Sequence, residues 1–239
     1  MPLLYSFGKI TVGYAMMLGW RPIVEGLENI PKTGGAIFAG NHLSVADELF
    51  LGSTVPRHIA FWAKSDYFVG TGLGGWFTRN LMEGLGAIRV ERAGGRAALT
   101  AFDGAIPVLK AGDMVAVYPE GTRSPDGRLY RGKTGVARLA LESGALVVPV
   151  ALLNTDEIQP TGKLIPKVMR VRLKFGKPLD FSRYADSRGD RLVERAITDE
   201  IMYELMTLTT REYVDVYAQS LKGAPSRTAP VVVEGAGKG

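Results

Sequence analysis

The sequence contains no cysteine and only two histidines. The lack of cysteine excludes a disulfide framework, an iron–sulfur cluster, a zinc finger and a thiol nucleophile. Two histidines are too few for a multi-histidine metal site, so we expect no bound metal. A Gly-x-Ser-x-Gly motif, which carries the nucleophilic serine of many hydrolases, is also missing. These absences argue against covalent catalysis through a thiol or a serine elbow.

Long apolar runs are missing as well, apart from one borderline candidate at residues 1–20. Lys9 interrupts this segment, which is barely long enough to cross a bilayer, and no small-residue cleavage site follows it. It carries four aromatic side chains of the kind that favour a lipid–water boundary: Tyr5, Phe7, Tyr14 and Trp20. We therefore expect residues 1–20 to form a helix that lies in one leaflet of a membrane. The alternative is an ordinary helix packed on the domain.

The charge balance is basic, with a net charge of +5. This favours anionic partners, which are nucleic acid, phospholipid head groups or phosphorylated small molecules. Because no basic arm, zinc finger or RNA-binding motif is present, we expect no nucleic-acid partner. The 239 residues, of which 46% are hydrophobic, fit one α/β domain, which we place at residues 21–221. Residues 222–239 are rich in glycine, alanine and proline, as is typical of a tail.

Apolar runs rich in β-branched residues alternate with helical patterns along most of the chain. This alternation predicts an α/β fold with a mixed, mainly parallel sheet flanked by helices. The predicted strands are Arg21–Glu25, Ala36–Gly40, Ile59–Trp62, Ala87–Val90, Met114–Tyr118, Leu146–Leu152 and Met169–Phe175.

Helices are predicted where apolar residues recur at helical spacing. One stripe consists of Leu99, Phe102, Ile106 and Leu109. Its helix should end at Gly112, with a kink or an early end where Pro107 interrupts the pattern. A second helix, around Val136–Ser143, should stop at Gly144. A long C-terminal helix has its stripe at Val193, Ile197, Ile201, Leu205 and Leu208.

The first chemical motif is Asn41–Asp47, which directly follows the predicted strand Ala36–Gly40. A histidine at a strand end can act as a general base near neutral pH, and His42 holds this position. If a helix begins near Ser44 or Val45, the Asp47 carboxylate can point back to the imidazole and orient it. Alone, this spacing is equally consistent with a structural histidine.

Further motifs lie at other strand ends, where α/β domains place their sites. Arg89 lies on the short strand within Gly86–Arg92 and carries a planar fork suited to phosphate. The run Tyr118–Ser124 contains a glycine that permits close backbone approach and donors for an oxyanion or phosphate. Pro149, inside an apolar strand, indicates a sheet edge, a bulge or a strand start.

In this order, the motifs resemble those of the glycerolipid acyltransferase family, in particular the bacterial-type 1-acyl-glycerol-3-phosphate (lysophosphatidate) acyltransferases. The resemblance extends from Gly26–Pro31 to Val147–Val150 and includes the segment Lys133–Leu141. It implies transfer of a fatty acyl group from acyl-CoA or acyl-carrier protein to lysophosphatidic acid, which yields phosphatidic acid for phospholipid synthesis. No cofactor is implied beyond the acyl thioester co-substrate.

The resemblance also implies roles for individual residues. His42 is the general base, Asp47 is its orienting partner and Pro149 belongs to the acyl-donor side. The acceptor phosphate and glycerol part would be bound by Arg89, Glu120, Gly121, Thr122, Arg123 and Lys64. The expected partner is a membrane surface with anionic phospholipids, and the expected location is peripheral, on the cytoplasmic side of the cell membrane. The oligomeric state stays open.

Other functions are weighed against this one. Glycerol 3-phosphate or another lysophospholipid is the alternative acceptor, and a lipid-binding adaptor is disfavoured because both His42 and Asp47 are present. Gly127–Thr134 satisfies the P-loop pattern of a nucleotide-binding kinase or ATPase, yet no strand leads into its first glycine. The glycine-rich stretch Gly70–Gly75 is interpreted as a mobile loop near the membrane rather than a dinucleotide site.

Overall fold

The computed structural model describes residues 3–90, 95–160 and 166–221, with the backbone alone at residues 64 and 95–101. The expected tail at 222–239 and the side chains of Lys64 and Leu99 lie outside the described residues. The strands are β1 (Ile23–Glu25), β2 (Ala36–Gly40), β3 (Ile59–Ala60), β4 (Trp62–Lys64), β5 (Ile88–Val90), β6 (Met114–Val117), β7 (Leu129–Tyr130), β8 (Leu146–Leu153), β9 (Arg172–Phe175) and β10 (Tyr213–Val214).

The helices alternate with these strands. They are α1 (Leu3–Gly8), α2 (Tyr14–Trp20), α3 (Ala46–Thr54), α4 (Asp66–Val69), α5 (Gly72–Gly84), α6 (Gly95–Lys110), α7 (Gly135–Ser143), α8 (Thr155–Ile158) and α9 (Arg191–Thr209). A π-helical turn, Lys9–Gly13, joins α1 to α2. Short 3-10 helices occupy Leu27–Asn29, Ser182–Ser187 and Ala218–Leu221.

The main sheet has the order β1-β9-β8-β2-β6-β3. All its neighbouring strands run parallel except β8 and β9, which are antiparallel. The predicted mixed, mainly parallel sheet flanked by helices is therefore confirmed. Because β2, β6 and β8 run parallel, the loops that follow them leave the same edge of the sheet, and that edge can carry a site.

Alternate residues of the central strands enter two separate cores. On β2 and β6, Ile37 and Val115 pack in one core with residues of α6, α7 and α9. Phe38 and Ala116 point to the other core, which includes residues of α2 and α3. Because successive side chains of a strand point to opposite faces, the apolar run Ala36–Ala39 contributes to the cores on both sides of the sheet.

Two helix ends confirm the predicted glycine stops. Gly144 adopts a φ of +69° after α7, and its N–H donates to Ala140 O at 2.9 Å. Gly112, with a φ of +90°, follows the end of α6 in the same left-handed region. Helix α6 continues through Pro107 to Lys110, so the early end expected from this proline does not occur.

Some strand boundaries were predicted wrongly. The single strand expected at Ile59–Trp62 is two strands, of which β3 belongs to the main sheet and β4 pairs with β5 in a second sheet. Arg21 terminates α2 with a φ of +44°, which excludes it from strand β1. The two-residue strands β7 and β10 pair with each other and were not predicted.

The glycine-rich stretch Gly70–Gly75 is helical for most of its length, because α5 begins at Gly72. The expectation of a mobile loop was therefore wrong here. A Cβ added at Gly75 would lie 2.1 Å from Gly70 C, closer than any real side chain could approach. The glycines permit tight backbone contact between α4 and α5 rather than forming a flexible loop.

The N-terminal helical segment packs on the domain along one face. Tyr5 and Met16 are buried, and the Tyr5 ring meets the His58 ring edge-on at 4.5 Å between centroids. The Lys9 ammonium donates to Val55 O at the end of α3. Burial lowers the pKa of Lys9, because desolvation disfavours the charged form. The only charged side chain of this segment therefore points inward.

Candidate active site

Two loops at the carboxyl edge of the sheet carry the chemical motifs. The first follows β2 and contains His42, and the second follows β6 and begins at Tyr118. Because β2 and β6 are parallel neighbours in the sheet, their loops emerge side by side. A backbone hydrogen bond joins them, since Ser124 N donates to His42 O at 2.7 Å.

His42 and Asp47 are in direct contact. His42 Nδ1 lies 2.8 Å from Asp47 Oδ2, and α3 begins at Ala46, as the predicted geometry requires. An ionised carboxylate can only accept, so Nδ1 carries the hydrogen, and in the neutral imidazole Nε2 then keeps its lone pair. The imidazole is 17% exposed, so it can be reached by a reacting hydroxyl. The tautomer with its hydrogen on Nδ1 and a free lone pair on Nε2 is the one that a general base needs.

Asp47 is fully buried, and its Oδ2 makes several hydrogen bonds, whereas its Oδ1 has no partner among the described residues. Besides His42, the same Oδ2 accepts from Leu43 N at 2.7 Å and from Ser44 N at 2.9 Å. Burial of a charged group without such donors would be strongly unfavourable. The carboxylate thus fixes both the imidazole and the loop that carries it. Val45 precedes α3, and Ser44 Oγ accepts from Ala46 N, the first amide of the helix, at 3.3 Å.

Glu120 connects the histidine loop to β7. Its Oε1 accepts from His42 N at 3.2 Å, and its Oε2 accepts from Tyr130 N at 2.9 Å. The side chain is 1% exposed, and burial is the main reason that its pKa is raised to about 7. Both oxygens are engaged by backbone amides of this chain. A role in acceptor binding, as the sequence resemblance implies, remains a prediction.

Tyr118 lies against the face of His42. Their ring centroids are 4.0 Å apart and their planes differ by 15°. The Tyr118 hydroxyl is buried, and burial holds its pKa well above the usual value, reinforced by the negative charges of Asp47 and Glu48. Sequence reasoning assigned no role to this tyrosine. Its place at the start of the run Tyr118–Ser124 was the signal in the sequence that could have found it.

Asn41 is a second residue whose role the sequence did not reveal. Its side chain is buried and makes two hydrogen bonds to Leu152 of β8, with Nδ2 donating to the carbonyl at 2.9 Å and Oδ1 accepting from the amide at 2.8 Å. This pair ties the start of the histidine loop to the neighbouring strand. An asparagine directly after a buried strand was the signal that could have found it.

The loop after β6 turns at Gly121. This residue has a φ of +70°, and its N–H donates to Tyr118 O at 2.9 Å. The amide of Gly121 is therefore already engaged within the turn. Thr122 and Arg123 follow in half-buried positions. The Lys133 side chain lies over Gly121, where an added Cβ would be 2.9 Å from Nζ.

Arg89 and Arg123 occupy different parts of the structure. Arg89 is exposed on β5, in register with Ala63 of β4, whereas Arg123 lies in the loop after β6. Within residues 3–90, 95–160 and 166–221, no ion pair involves either arginine. Their convergence on one phosphate therefore stays a prediction. The backbone of Lys64 ends β4, beside the Val90 end of β5.

Pro149 lies in the middle of the sheet and not at its edge. It is buried on β8, which lies between β9 and β2, and it is in register with Ala39. The N–H and C=O of a strand residue point the same way, and Pro149 O accepts from Gly176 N at 2.8 Å. An N–H at Pro149 would therefore point towards β9, beyond Val150–Phe175, the last pair of that ladder. The proline consequently removes no hydrogen bond between paired strand residues.

The P-loop pattern at Gly127–Thr134 lacks the architecture of a P-loop. The preceding strand β6 ends at Val117, and the pattern itself contains β7. Lys133 Nζ donates to Gln219 Oε1 at 2.7 Å. Among the described side chains, no cluster of three or more His, Asp or Glu residues could hold a metal ion.

A comparison with known protein families matches residues 21–153 to the family described as Acyltransferase. The matched segment includes every expected site residue. A chloroplastic 1-acyl-sn-glycerol-3-phosphate acyltransferase of Arabidopsis thaliana is 33% identical over 162 residues, which cover 67% of this chain and 44% of that enzyme. The chain thus spans less than half the length of this plant relative.

The alignment with a bacterial relative includes a larger share of that relative's length. The 1-acyl-sn-glycerol-3-phosphate acyltransferase of Borreliella burgdorferi is 29% identical over 192 residues, which cover 80% of this chain and 74% of that protein. Among solved structures, the 1-acyl-sn-glycerophosphate acyltransferase PlsC from Thermotoga maritima aligns with a TM-score of 0.63 at 25% identity. The alignment covers 93% of this chain and 81% of that one.

Proposed function

The chain belongs to the acyltransferase family, and we propose that it transfers a fatty acyl group from a thioester to the free hydroxyl of lysophosphatidic acid. The observation that carries the proposal is the contact of 2.8 Å between His42 Nδ1 and Asp47 Oδ2 at the carboxyl edge of the sheet. Curated relatives named as 1-acyl-sn-glycerol-3-phosphate acyltransferases support this choice of acceptor.

The proposed reaction needs no covalent enzyme intermediate. His42 Nε2 takes the proton of the acceptor hydroxyl while the hydroxyl oxygen attacks the carbonyl carbon of the thioester. The tetrahedral oxyanion then collapses, the new C–O bond remains and the C–S bond breaks. The leaving thiolate takes the proton from the imidazolium, which restores neutral His42. Asp47 stabilises the imidazolium and keeps the ring in place throughout.

The acceptor phosphate is assigned to Arg89 and Arg123. A phosphate monoester carries up to two negative charges and is best bound by the fixed forks of arginine. Arg123 lies in the loop that is hydrogen-bonded to His42 through Ser124, which supports its placement near the reacting hydroxyl. Glycerol 3-phosphate would present the same phosphate to these arginines, so it is the second candidate acceptor.

The lipid acceptor and the N-terminal segment together support a place at a membrane surface. While Lys9 points inward, the outer face of this segment exposes five large apolar or aromatic side chains at 63% or more: Leu3, Phe7, Ile10, Tyr14 and Leu18. An uncharged, aromatic-containing face of this kind binds at the interface of a bilayer. Among the described residues, no helix combines the length and apolar character needed to cross a membrane.

A direct assay of the purified chain tests the proposal. The chain is incubated with palmitoyl-CoA and, in parallel, with lysophosphatidic acid, glycerol 3-phosphate or lysophosphatidylcholine, and the acylated position of each product is determined. We expect phosphatidic acid from lysophosphatidic acid as the fastest product, without ATP or magnesium. Faster acylation of glycerol 3-phosphate would select the second candidate, and acylation of none of the acceptors would contradict the proposal.

A further inference from the structure

After α9 the chain forms a short segment, residues 210–221, that we call the C-terminal strap. Its strand β10 runs parallel to β7 and pairs with it. Leu129 N donates to Glu212 O at 3.0 Å, and Arg131 N donates to Val214 O at 3.2 Å. Because β7 lies at the end of the loop after β6, the strap holds this loop at its far end.

The opposite side of β7 faces the proposed base. Successive N–H groups of a strand point to opposite sides, and the amide between the two that bond to the strap is Tyr130 N. It donates to Glu120 Oε2 at 2.9 Å, while Glu120 Oε1 accepts from His42 N at 3.2 Å. One strand residue and one carboxylate therefore connect the strap to the loop that carries His42.

Arg211 is the strap residue that reaches furthest into this region. Its Nη1 donates to Gly127 O in the loop after β6, and its Nη2 lies 3.4 Å from Asp156 Oδ1 in α8. A Cβ added at Gly127 would lie 2.5 Å from Arg211 Nη1, so the glycine leaves room for the guanidinium. Arg211 thus joins the loop after β6 to the helix that follows β8.

The positive charge of Arg211 also acts on Glu120. Burial raises the pKa of Glu120 to about 7, and the negative charge of Asp47 acts in the same direction. The amides of Tyr130 and His42 and the charge of Arg211 lower this pKa. Without Arg211, more of the carboxyl group would be protonated at neutral pH. A protonated carboxyl group places an O–H donor against a backbone N–H donor and weakens one of the two hydrogen bonds.

Further contacts attach the strap independently of Arg211. The Arg131 guanidinium lies 5.5 Å from the centre of the Tyr217 ring, and Lys133 Nζ donates to Gln219 Oε1 at 2.7 Å. The backbone pairing of β10 with β7 adds to them. We therefore expect the strap to stay in place when Arg211 alone is replaced.

We propose that Arg211 is a positioning residue of the active site, which holds the loop after β6 and, through Glu120, fixes the loop that carries His42. The inference rests on the proposed acyl transfer and adds to it a residue outside the segment 21–153 that matches the acyltransferase family. Arg211 acts through Glu120 and does not itself contact the reacting atoms.

The test separates the charge of Arg211 from its hydrogen bonds. Arg211→Gln removes the charge and keeps an amide donor, whereas Arg211→Lys keeps the charge and loses the fork. Arg183→Ala, at an exposed arginine that pairs with Glu200, is the control. After melting curves have established folding, kcat and the KM values for palmitoyl-CoA and lysophosphatidic acid are measured from about pH 7 to about pH 9. Hydrogen exchange of the His42 and Tyr130 amides is followed by NMR without substrate.

We expect Arg211→Gln to lower kcat by about five- to tenfold at pH 7, the loss that one weakened hydrogen bond in the support of the base would cause. Its kcat should approach that of the wild type near pH 9, where Glu120 is ionised in both proteins. Both KM values should stay within a factor of about two. Arg211→Lys should recover most of kcat, and Arg183→Ala should match the wild type.

The exchange experiment should agree with the kinetics. At pH 7 the amides of His42 and Tyr130 should exchange faster in Arg211→Gln than in the wild type, because both donate to Glu120. In Arg183→Ala their exchange should be unchanged.

Four results would overturn the inference: an unchanged kcat in a folded Arg211→Gln protein, a loss of kcat that is equal at every pH, unchanged exchange of the His42 amide, or a rise confined to one KM. The last of these would assign Arg211 to a substrate. If the proposed function fails, the wild type transfers no acyl group at any pH. The exchange rates would then still show whether Arg211 supports the loop of His42.

Discussion

Tyr118 stacks on the His42 imidazole with 4.0 Å between the ring centroids, so the proposed base is held from two sides. Asp47 restrains the ring in its own plane through Nδ1, and Tyr118 restrains it from its face. The remaining freedom of the imidazole is small, and Nε2 keeps a fixed direction. Such preorganisation is what general-base catalysis requires, because misplacement by about 1 Å can cost 10²-fold in rate.

The first prediction separates the ring of Tyr118 from its hydroxyl. The hydroxyl is buried without a hydrogen-bond partner among the described residues, a situation that typically costs about 1–3 kcal/mol. Tyr118→Phe should therefore keep the stack and the activity and raise Tm by about 2–4 °C for each kcal/mol gained. Tyr118→Leu should lower kcat because the ring face is lost. Kinetics and melting curves are measured for the wild type and both variants. Equal kcat in the wild type, Tyr118→Phe and Tyr118→Leu would show that the stack does not position the base.

The second prediction concerns the pH dependence of stability through Glu120. Because burial raises its pKa to about 7, the native state binds one more proton than the unfolded state between about pH 4.5 and 7. Stability from this group is complete below about pH 4.5 and declines as pH rises to 7. Glu120→Gln lacks this titration and also places an amide donor against a backbone N–H.

Denaturant unfolding at several pH values measures this effect. The wild type should be more stable than Glu120→Gln at pH 5, and the difference should shrink as pH approaches 8. A difference that grows with pH would mean that the carboxylate is stabilised in its charged form, and the stated effect of burial would be wrong.

The third prediction tests the acceptor arginines. Arg89→Ala and Arg123→Ala should each raise the KM for lysophosphatidic acid by about ten- to a hundredfold, since a hydrogen bond to a charged group contributes roughly 1.5–3 kcal/mol. Replacement by lysine should restore part of the affinity, because the charge returns without the bidentate fork. An increase confined to the donor KM would assign these arginines to the thioester instead.

The fourth prediction concerns the outer face of the N-terminal segment. Phe7 and Leu18 are 65% and 74% exposed, so their replacement by glutamate should leave the fold intact. The double variant should bind anionic vesicles more weakly in a flotation assay, because apolar contact area is lost and the two added carboxylates are repelled by anionic lipid. Leu192→Glu, at an 82% exposed position on α9, is the matched control. Equal flotation of both variants would exclude this face as the membrane contact.

The central strands and the first site pair could be predicted because their signals are local. The apolar run at Ala36–Gly40 predicts a buried parallel strand, and the spacing of His42 and Asp47 predicts their contact once a helix starts between them. The end of α7 was likewise predictable, since Gly144 alone accounts for it.

Other features depend on contacts between distant parts of the chain. Glu120 bridges His42 and Tyr130, and Asn41 pairs with Leu152 more than a hundred residues away. A motif reveals that such residues matter, yet the partner is fixed only by the sheet order. The stretch Gly70–Gly75 was predicted as a loop for a related reason. Close contact between helices and flexibility of a loop both favour glycine, so the residue type alone does not distinguish them.

If His42, oriented by Asp47, is the general base of acyl transfer, its replacement by alanine must slow the reaction in a protein that still folds. The initial rate from palmitoyl-CoA to lysophosphatidic acid is measured for the wild type and for the variant, with a melting curve for each to establish folding. We expect a folded His42→Ala protein whose kcat/KM is lower by at least about 10², the low end for loss of a general base. A folded His42→Ala protein with wild-type kcat/KM would contradict it.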